Sequence, residues 1–482
     1  MMPPLSKAHR LPATTDNDGN GRILIVANRL PVTLRSDRGR VDVSPSSGGL
    51  ATGLTRIQRR HRSRWIGWTG MSDDPGPTVR HEIDSRLCAT GMTAIHLSRA
   101  EVAGFYRRYA NGVLWPVLHE MPATEHGSTD WDAYRRVNQR FADAIVREIE
   151  PGDVVWVHDY HLMLVPRLVR ARCQDARIGF FLHTPFPTLE SFAALPHADL
   201  LIDGLLGADS IGVHTPGYVD NLREALRQLG GHRGRSERDV RVFACPMSVD
   251  VTALGMLASD AAVAADAARM RGDGPLLVGV DRLDYTKGIP ERLRAFGRLL
   301  EEDATLRGRA RLVQIAVPSR ELVSGYASIR QDVEALVARI NRQWGTAEWQ
   351  PVDYRYRSIC MTTLVTLYRA ADVMLVTPIR DGLNLVAKEF VACRTDGDGV
   401  LVLSERAGAA AELRTALLVD PTDERALTDA YSAALGMLPA ERRVRMRHLR
   451  LTVARHDIYR WAEHVLDPLV TPDALARQAH NA

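Results

Sequence analysis

The chain has 482 residues, of which 45% are hydrophobic and 25% charged, and 62 basic against 58 acidic residues give a net charge of +4. This length is too great for one compact core, so we expect two domains. The balanced charge does not indicate a nucleic-acid partner, and the apolar runs are too short to span a membrane. Five cysteines without a CxxC pair are typical of reduced thiols. We therefore expect a cytoplasmic protein with no nucleic-acid and no membrane partner.

The first half of the chain predicts a parallel sheet. Residues 1–20 are polar and marked by Pro and Gly, and we expect a disordered extension there. A buried strand follows, and then a Gly- and Ser-marked loop. From residue 153 strands and helices alternate regularly, which specifies a mostly parallel, doubly wound sheet. The predicted strands lie at 22–28, 65–68, 93–97, 154–157, 178–182, 210–213 and 240–245, and the helices at 50–61, 101–109, 130–149, 162–172, 189–206 and 218–229.

The second half repeats this alternation after a crossing point between domains at 246–254. Three helical segments, which run through Leu466, follow the last strand. We therefore predict the α/β fold class, with two Rossmann-like, doubly wound parallel-sheet domains that face each other across a cleft. The predicted strands of this half lie at 276–280, 312–317, 350–354, 373–376, 400–403 and 416–419.

A polar turn, Arg380-Asp381-Gly382, separates the strand at 373–376 from a helix that begins near Asn384. The first backbone N–H groups of a helix have no internal partner, so a strand, a tight turn and a helix N-terminus together can bind an anion. The phosphates of a nucleotide would fit this site. The alternative is an ordinary connection between a strand and a helix.

Charged and reactive side chains recur directly after the predicted strands of both halves. Ligands of open parallel sheets bind beyond the carboxyl ends of the strands. This placement predicts a ligand cleft between the two domains, and a purely structural protein has little reason for it. The residues concerned are Asn28, Arg29, Asp159, His183, Arg282, Ser319, Arg320 and Asp381.

The loop at 281–288 places Arg282 and Lys287 before a predicted helix. Two cations at a helix N-terminus suit a diphosphate. The alternative is a pair of surface ion pairs with Asp281 or Asp284, which are common and weak.

Glu389 lies inside the helix that follows the Asp381 turn. A carboxylate at such a place can accept hydrogen bonds from both hydroxyls of a ribose, as in dinucleotide-binding folds. The alternative is a solvated helix charge beside Lys388.

Two patterns suggest a metal, but only weakly. His158 and His161, with His183 as a third ligand, lie across a boundary between a strand and a turn and lack a cluster of carboxylates. The Asp-Gly-Asp sequence at 396–398 falls at the wrong edge of the sheet, and we interpret it as a plain turn. Gly48 and Gly49 would let the backbone approach a ligand closely.

Ten motifs occur in an order that closely resembles the trehalose-6-phosphate synthase family over residues 22–468. Any one of these motifs would be weak evidence, whereas ten in order are specific. They are ANRLPV (27–32), SGGL (47–50), WIGW (65–68), LWP (114–116), VHDYHL (157–162), FLHTPFP (181–187), RLDYTKG (282–288), QIAVPSR (314–320), RDGLNLVAKE (380–389) and GVLVLS (399–404).

The resemblance implies the GT-B glycosyltransferase fold. It implies transfer of glucose from a nucleotide-glucose to glucose 6-phosphate with retention, which gives α,α-1,1-trehalose 6-phosphate, without a metal or other cofactor. It also implies a role in osmoprotection and a homo-oligomer, either a dimer or a tetramer. We expect an acceptor domain at 21–248, a donor domain at 249–455 and a segment at 456–482 whose helix crosses back onto the first domain.

The family motifs also imply roles for particular residues. The acceptor phosphate would meet Arg29 and Arg320 in a pocket lined by Tyr106 and Trp115, while Trp68 and Asp159 would hold the acceptor sugar. Arg282 and Lys287 would neutralise the departing diphosphate, His183 and Asp381 would contact hydroxyls of the donor glucose, and Glu389 would hold the ribose. The expected catalytic residues are Asp159, His183, Arg282, Lys287 and Asp381, and the remaining donor contacts are Gly49, Gly382, Leu383, Asn384 and Leu385.

The same resemblance implies attack and departure on one face of the sugar, with the leaving phosphate accepting the proton of the acceptor. The chain departs from the family at Thr184, where Ile is usual, and at Leu383, where Met is usual. The segment at 359–363, near the expected nucleobase, is also unusual. UDP-, ADP- and GDP-glucose are therefore all open as donors.

Two other functions are open. One is a sibling transferase with another acceptor, such as a glucosylglycerol-phosphate synthase or a pseudo-glycosyltransferase that joins cyclitols. The intact acceptor residues argue instead for a sugar phosphate. The other is an inactive sensor of sugar phosphates, against which the presence of Arg282, Lys287, Asp381 and Glu389 argues.

Overall fold

The structure of the protein is a computed structural model that describes residues 21–37, 40–45, 49–58, 60–72, 75–123, 127–230, 239–320 and 326–470. The predicted disordered extension at 1–20 lies outside the described residues, and so does the end of the last predicted segment, 471–482.

Seven parallel strands form the N-terminal sheet, in the order β5-β4-β1-β6-β7-β8-β9. Continuous apolar runs such as Ile-Leu-Ile-Val in the first strand are typical of parallel strands that helices cover on both faces. The strands of this half, including a separate antiparallel hairpin of β2 and β3, are β1 Ile23–Arg29, β2 Val32–Asp37, β3 Arg40–Pro45, β4 Ser63–Trp68, β5 Met92–Ile95, β6 Val154–His158, β7 Arg177–Phe181, β8 Ser210–Val213 and β9 Arg241–Ala244.

Helices surround this sheet. A π-helix, Val102–Leu114, joins α3 to α4, and a 3-10 turn, Tyr160–Leu162, follows β6. The α-helices are α1 Gly49–Gln58, α2 Pro77–Cys88, α3 Arg99–Glu101, α4 Trp115–Leu118, α5 Ser128–Glu148, α6 Val165–Arg170, α7 Leu189–Ala193, α8 Ala198–Leu205 and α9 Pro216–Leu229.

Six parallel strands form the C-terminal sheet, in the order β12-β11-β10-β13-β14-β15. Its strands are β10 Leu276–Arg282, β11 Arg311–Val317, β12 Val352–Tyr356, β13 Val373–Val376, β14 Val400–Ser404 and β15 Leu417–Val419. The α-helices are α10 Val251–Ala258, α11 Ala261–Arg271, α12 Ile289–Glu302, α13 Tyr326–Trp344, α14 Met361–Ala370, α15 Leu385–Cys393, α16 Glu424–Gly436, α17 Pro439–Arg455 and α18 Ile458–Val470. Short 3-10 helices lie at Tyr285–Lys287, Ala304–Leu306 and Gly408–Ala411.

The predicted fold class is therefore correct, while two local predictions were wrong and a third was too short. The Gly- and Ser-marked loop contains the β2–β3 hairpin. The helix predicted at 101–109 belongs to a helical stretch from Arg99 to Leu118 whose middle is the π-helix. The helix predicted at 189–206 is two helices, α7 and α8, with Pro196 in the break between them.

Helix α18 follows the helices of the C-terminal half but packs against the N-terminal sheet. The Trp461 ring centroid lies 5.2 Å from that of Trp156 and 5.1 Å from that of Phe181. Within the described ranges, no single helix is long and apolar enough to span a membrane, and the pair α10 and α11 meets the length and composition criterion only as a broken unit bent by 70°.

Candidate active site

The polar residues at the strand ends of the two sheets meet in one cleft, and the domains contact each other across it. Arg320 of the C-terminal half donates to the Tyr160 hydroxyl oxygen of the N-terminal half at 3.0 Å. Arg380 forms an ion pair with Glu120 across the same boundary. The structure thus brings the predicted residues of both domains together, as the strand-end pattern indicated.

Lys287 and Asp381 form an ion pair at the centre of this cleft. The Lys287 Nζ lies 2.8 Å from the Asp381 Oδ2, and the side chains are 7% and 16% exposed. A backbone hydrogen bond from Ile379 N–H to the Thr286 carbonyl, at 2.8 Å, joins the two loops that carry them. Burial alone would raise the pKa of Asp381, but the charge and hydrogen bond of Lys287, together with other nearby groups such as Arg282, hold that pKa below its usual value.

The alternative in which Arg282 and Lys287 pair with Asp281 or Asp284 was wrong. Asp281 pairs with the buried Arg292 at 2.5 Å. Asp284 pairs with Arg320 at 3.1 Å. The acidic residues of this loop therefore serve other cations.

Three cations of the C-terminal domain lie over the ring of Trp115 in the N-terminal domain. The Arg320 guanidinium carbon is 3.8 Å from the ring centroid, that of Arg282 is 5.3 Å away, and the Lys287 ammonium is 5.8 Å away. The negative face of an indole attracts cations at such distances. The positive charge that a phosphate-bearing ligand would need is thus concentrated beside Trp115.

Arg320 is the centre of a buried hydrogen-bond network. Its guanidinium donates to the Asp284 carboxylate at 3.1 Å and to the Tyr326 hydroxyl oxygen at 2.9 Å, in addition to Tyr160. The Tyr160 hydroxyl in turn donates to the Asn111 Oδ1 at 2.7 Å. Burial would raise the pKa of Asp284, yet the charges of Arg320, Arg282 and Lys287 together hold it well below its usual value. The network fixes Arg320 as a charged group that faces the cleft.

Arg29, Trp68 and Tyr106 line the cleft beside this network. The Arg29 guanidinium carbon lies 4.9 Å from the Trp68 ring, whose centroid is 5.3 Å from that of Tyr106. Tyr106 stacks on His161 at 5.8 Å. Burial, and then the charges of Arg320, Arg282 and Arg29, hold the pKa of His161 well below its usual value. Arg320, Arg282 and Arg29 therefore all lie close enough to His161 to affect its charge.

Asp159 and His183 occupy adjacent strand ends of the N-terminal sheet. Asp159 has a φ of 74°, which turns the chain sharply after β6. Its Oδ1 accepts a hydrogen bond from the His183 N–H at 3.2 Å. Burial raises the pKa of Asp159 to about 6, although nearby amides and arginines oppose this rise.

We predict a measurable effect of this raised pKa on stability. The folded protein holds the Asp159 proton more tightly than the unfolded chain does, so the bound proton stabilises the folded state at low pH. This stabilisation is lost as the pH rises through about 6. Relative to Asp159→Asn, the wild-type free energy of unfolding should fall by about 2 kcal/mol between pH ~4 and ~6, out of about 3 kcal/mol over the whole transition. Denaturant unfolding of both proteins over this range measures it, and parallel pH profiles would contradict the prediction.

The donor side of the cleft is built on the N-terminus of α15. The Asn384 side chain caps this helix by accepting from the Ala387 N–H, and its amide also donates to the Asp381 carboxylate at 3.1 Å. Glu389 is half-buried and accepts a hydrogen bond from the Tyr368 hydroxyl at 2.8 Å, so it is not the solvated charge of the alternative interpretation. Lys388 pairs with Glu412 instead. Gly49 is the first residue of α1.

Gly382 is the point where the Asp381 turn meets the N-terminal domain. A Cβ on Gly382 would lie 2.3 Å from the His183 carbonyl oxygen and 2.8 Å from the Thr184 carbonyl carbon. Both are backbone atoms, which cannot rotate away, so only a glycine permits this approach. Leu383, the next residue, is buried.

We therefore expect Gly382→Ala to lower kcat/KM about 10- to 100-fold, because the two halves of the site would be held apart. Gly217→Ala is the matched control, since no atom of the described chain beyond its own neighbours and helix backbone lies within 4 Å of its Cβ position. Steady-state kinetics with both variants test this, and equal activities would contradict the steric argument.

Several residues of the site were missed by the sequence interpretation. Tyr160 lies within the VHDYHL motif, and Asp284 within RLDYTKG, but neither was given a role. His119 is buried beneath Trp115, with ring centroids 4.1 Å apart. Its burial, with the charge of Lys287, lowers its pKa to about 3. The partners of these three residues are distant in sequence, so no local pattern predicts the contacts. The signal that could have found the residues was their position inside or beside the family motifs.

The part of the chain that the structure describes contains no group of three or more His, Cys, Asp and Glu side chains placed to hold a metal ion. The Asp-Gly-Asp sequence at 396–398 lies in a turn, as predicted. Asp396 pairs with Arg394 there at 3.0 Å, and Asp398 pairs with Arg442 at 3.1 Å.

Comparisons with known proteins agree with this architecture. The model of glycosyltransferase family 20 matches residues 21–471. The trehalose-6-phosphate synthase of Mycolicibacterium smegmatis is 42% identical over 473 residues, which cover 94% of this chain and 93% of that protein. The protein of the same name from Mycobacterium tuberculosis H37Rv is 42% identical over 474 residues, which cover 94% and 95%.

Solved structures give the same result. An α,α-trehalose-phosphate synthase (UDP-forming) from Burkholderia xenovorans, in complex with glucose 6-phosphate, superposes with a TM-score of 0.82 and 31% identity and covers 94% of this chain and 100% of its own. A structure from E. coli with bound UDP-2-fluoro glucose has a TM-score of 0.81 and 32% identity, with coverage of 94% and 99%.

Two parallel-sheet domains that face each other across a cleft, shared with these neighbours, define a glycosyltransferase of the GT-B fold. The chain belongs to glycosyltransferase family 20. The predicted resemblance to the trehalose-6-phosphate synthases is thereby confirmed.

Proposed function

We propose that this enzyme transfers glucose from UDP-glucose to glucose 6-phosphate with retention, giving α,α-1,1-trehalose 6-phosphate. The observation that carries the proposal is the convergence of Arg320, Arg282 and Lys287 on the Trp115 ring. A phosphate-binding group and a diphosphate-binding group then lie beside each other in a single cleft, as a transfer between two phosphorylated substrates requires.

On the acceptor side, Arg29 and Arg320 bind the 6-phosphate, and Tyr106 and Trp115 line its pocket. Arg320 is suited to this role because Asp284 and two tyrosines fix its guanidinium in place. A planar guanidinium can bind two phosphate oxygens at once. Trp68 and Asp159 hold the sugar.

On the donor side, Arg282, Lys287 and the amides at the start of α15, from Gly382 to Leu385, bind the diphosphate. Gly49 approaches it from α1, and Glu389 holds the ribose with the carboxylate oxygen that Tyr368 leaves free. Asp381 and His183 contact hydroxyls of the donor glucose. The choice of UDP among the three donors rests on the neighbours, one of which is UDP-forming and another of which binds a UDP-sugar.

The reaction places negative charge on the departing diphosphate. Arg282 and Lys287 are already in position, so they stabilise that charge without reorganising, and no metal is needed for this step. A leaving phosphate oxygen accepts the proton of the attacking hydroxyl on the same face of the sugar. The contacts across the cleft, such as that of Arg320 with Tyr160, keep water out while both sugars are bound.

Assays with purified protein test the proposal directly. Glucose 6-phosphate is combined with UDP-, ADP- and GDP-glucose in turn, and release of the nucleoside diphosphate is measured. We expect release with UDP-glucose that depends on glucose 6-phosphate, and far less with Arg282→Ala as the control for contaminating activity. Release only with another acceptor would indicate a sibling transferase, and no release with any donor would indicate a sensor.

We further propose the domain bounds 21–248 and 249–455, followed by the crossing segment 456–482. The packing of α18 on the N-terminal sheet supports this division. A dimer or tetramer, a cytoplasmic location and a role in osmoprotection stay predictions.

A further inference from the structure

His158, the last residue of β6, contacts the ring of His183 directly. The His158 Nδ1 lies 3.1 Å from the His183 Nε2, and the rings are nearly parallel, with centroids 5.4 Å apart and an interplanar angle of 22°. His158 is fully buried, so it cannot touch a substrate itself. It can act on the reaction through His183, whose ring it contacts.

His183 is held at its backbone as well as at its ring. Its N–H donates to Asp159, and His214 forms a hydrogen bond with its backbone. Its carbonyl oxygen lies against Gly382, where a Cβ would come within 2.3 Å. With the backbone and Nε2 engaged, Nδ1 is the polar atom of His183 that is left for a ligand.

Both imidazoles are neutral at physiological pH. Burial holds the pKa of His158 well below its usual value and lowers that of His183 to about 3. Each ring therefore carries one proton, and one ring must donate to the other. Which ring donates decides whether the His183 Nδ1 carries a proton.

The surroundings of His158 settle the direction. Within the described chain, its Nε2 is buried and has no hydrogen-bond partner. A buried N–H without an acceptor is rarer and more costly than a buried lone pair without a donor. The proton of His158 therefore resides on Nδ1 and is donated to the His183 Nε2, so the proton of His183 resides on Nδ1.

From this geometry we infer that His158 is a positioning residue that fixes His183 as a hydrogen-bond donor, through Nδ1–H, to a hydroxyl oxygen of the donor glucose. The inference rests on the proposed contact between His183 and the donor sugar. Without His158, the His183 ring could rotate or carry its proton on Nε2, and it would then present a lone pair to the sugar.

Two substitutions separate this role from simple packing. In His158→Asn, the amide nitrogen stands near the position of Nδ1 and can still donate, whereas His158→Leu fills the site without a donor. We expect His158→Leu to lower kcat/KM for the nucleotide-glucose roughly tenfold, with the KM for glucose 6-phosphate unchanged. His158→Asn should retain most of the activity. Equal losses in both variants, or none in either, would overturn the inference.

Ser210→Ala is the matched control, because it also removes a buried polar group from the N-terminal sheet, at the start of β8. We expect wild-type kinetics from it. A loss equal to that of His158→Leu would mean that any buried polar group of this sheet matters, which would overturn the specific role.

A spectroscopic test needs neither turnover nor a variant at position 158. Ring ¹⁵N shifts of histidine-labelled wild-type protein report the tautomer, and the His183 signals are identified by their loss in His183→Gln. We expect a protonated Nδ1 and an unprotonated Nε2, and the opposite pattern would overturn the inference. Failure of the wild type to form trehalose 6-phosphate would contradict the proposed function while leaving this tautomer result to be decided separately.

Discussion

Replacing Arg282 with Ala should lower kcat about 10²- to 10³-fold, the usual effect of removing one group that stabilises developing negative charge. The free energy of unfolding should change by less than about 1 kcal/mol. Arg282 is partly exposed, and the contacts of its side chain within the described chain include the Trp115 ring and a marginal hydrogen bond to Ser319 at 3.5 Å. Its loss therefore removes charge from the diphosphate site and little from the fold.

Ser319→Ala is the control for Arg282→Ala, since it removes the hydrogen-bond partner but keeps the cation, and near wild-type turnover is expected. Near-normal turnover of Arg282→Ala itself would contradict the assignment to the leaving group. Lys287→Ala should also lower turnover, but it is a less selective test. It strips the ammonium from the nearly buried Asp381 carboxylate, so a loss of stability should accompany it.

Replacing Arg320 with Met should have two separable effects. It removes a phosphate-binding guanidinium, so the KM for glucose 6-phosphate should rise at least about 100-fold, as expected for the loss of a charge-assisted pair of hydrogen bonds. It also leaves the fully buried Asp284 carboxylate without its cation. Breaking a buried pair in this way costs about 3–5 kcal/mol of stability. Steady-state kinetics and denaturant unfolding measure the two effects.

The double variant Arg320→Met with Asp284→Asn distinguishes these effects. Removing the orphaned charge should restore much of the lost stability, because the Asn oxygen can still accept from the Thr286 N–H while its NH₂ donates to the Tyr326 hydroxyl oxygen, and an amide needs no cation. The KM for glucose 6-phosphate should stay high. If the KM recovered together with the stability, Arg320 would serve the fold and not the phosphate.

The alternation of strands and helices was predictable because helices cover parallel strands on both faces, so the strands are continuous apolar runs in the sequence. The strands at 210–213 and 373–376 were predicted to the residue for this reason. The β2–β3 hairpin was missed because it is antiparallel and its strands alternate apolar with polar residues, so neither contains a continuous apolar run. Its signal was the alternation of Val32 with Leu34 and of Val41 with Val43. The π-helix has no sequence pattern that distinguishes it from an α-helix.

The positions of the candidate site residues were predictable, but their partners were not. A residue just after a parallel strand must lie at the ligand-binding edge of its sheet, which placed Arg29, Asp159, Arg320 and Asp381 in the cleft. The pairing of Lys287 with Asp381 joins residues 94 positions apart. The acids nearer to Lys287 in sequence, Asp281 and Asp284, pair instead with Arg292 of α12 and with Arg320, which lies between β11 and α13. Proximity in sequence is a poor guide where two loops and two domains meet.

The anomeric configuration of the product tests the central claim most directly. Protein supplied with UDP-glucose labelled with ¹³C at the donor carbon, glucose 6-phosphate and EDTA should yield one disaccharide phosphate with UDP in equal amount. The one-bond ¹³C–¹H coupling at the labelled carbon should identify an α linkage there, as retention at the donor carbon requires. A β linkage at the labelled carbon, free labelled glucose as the main product, or complete loss of activity in EDTA would contradict the account.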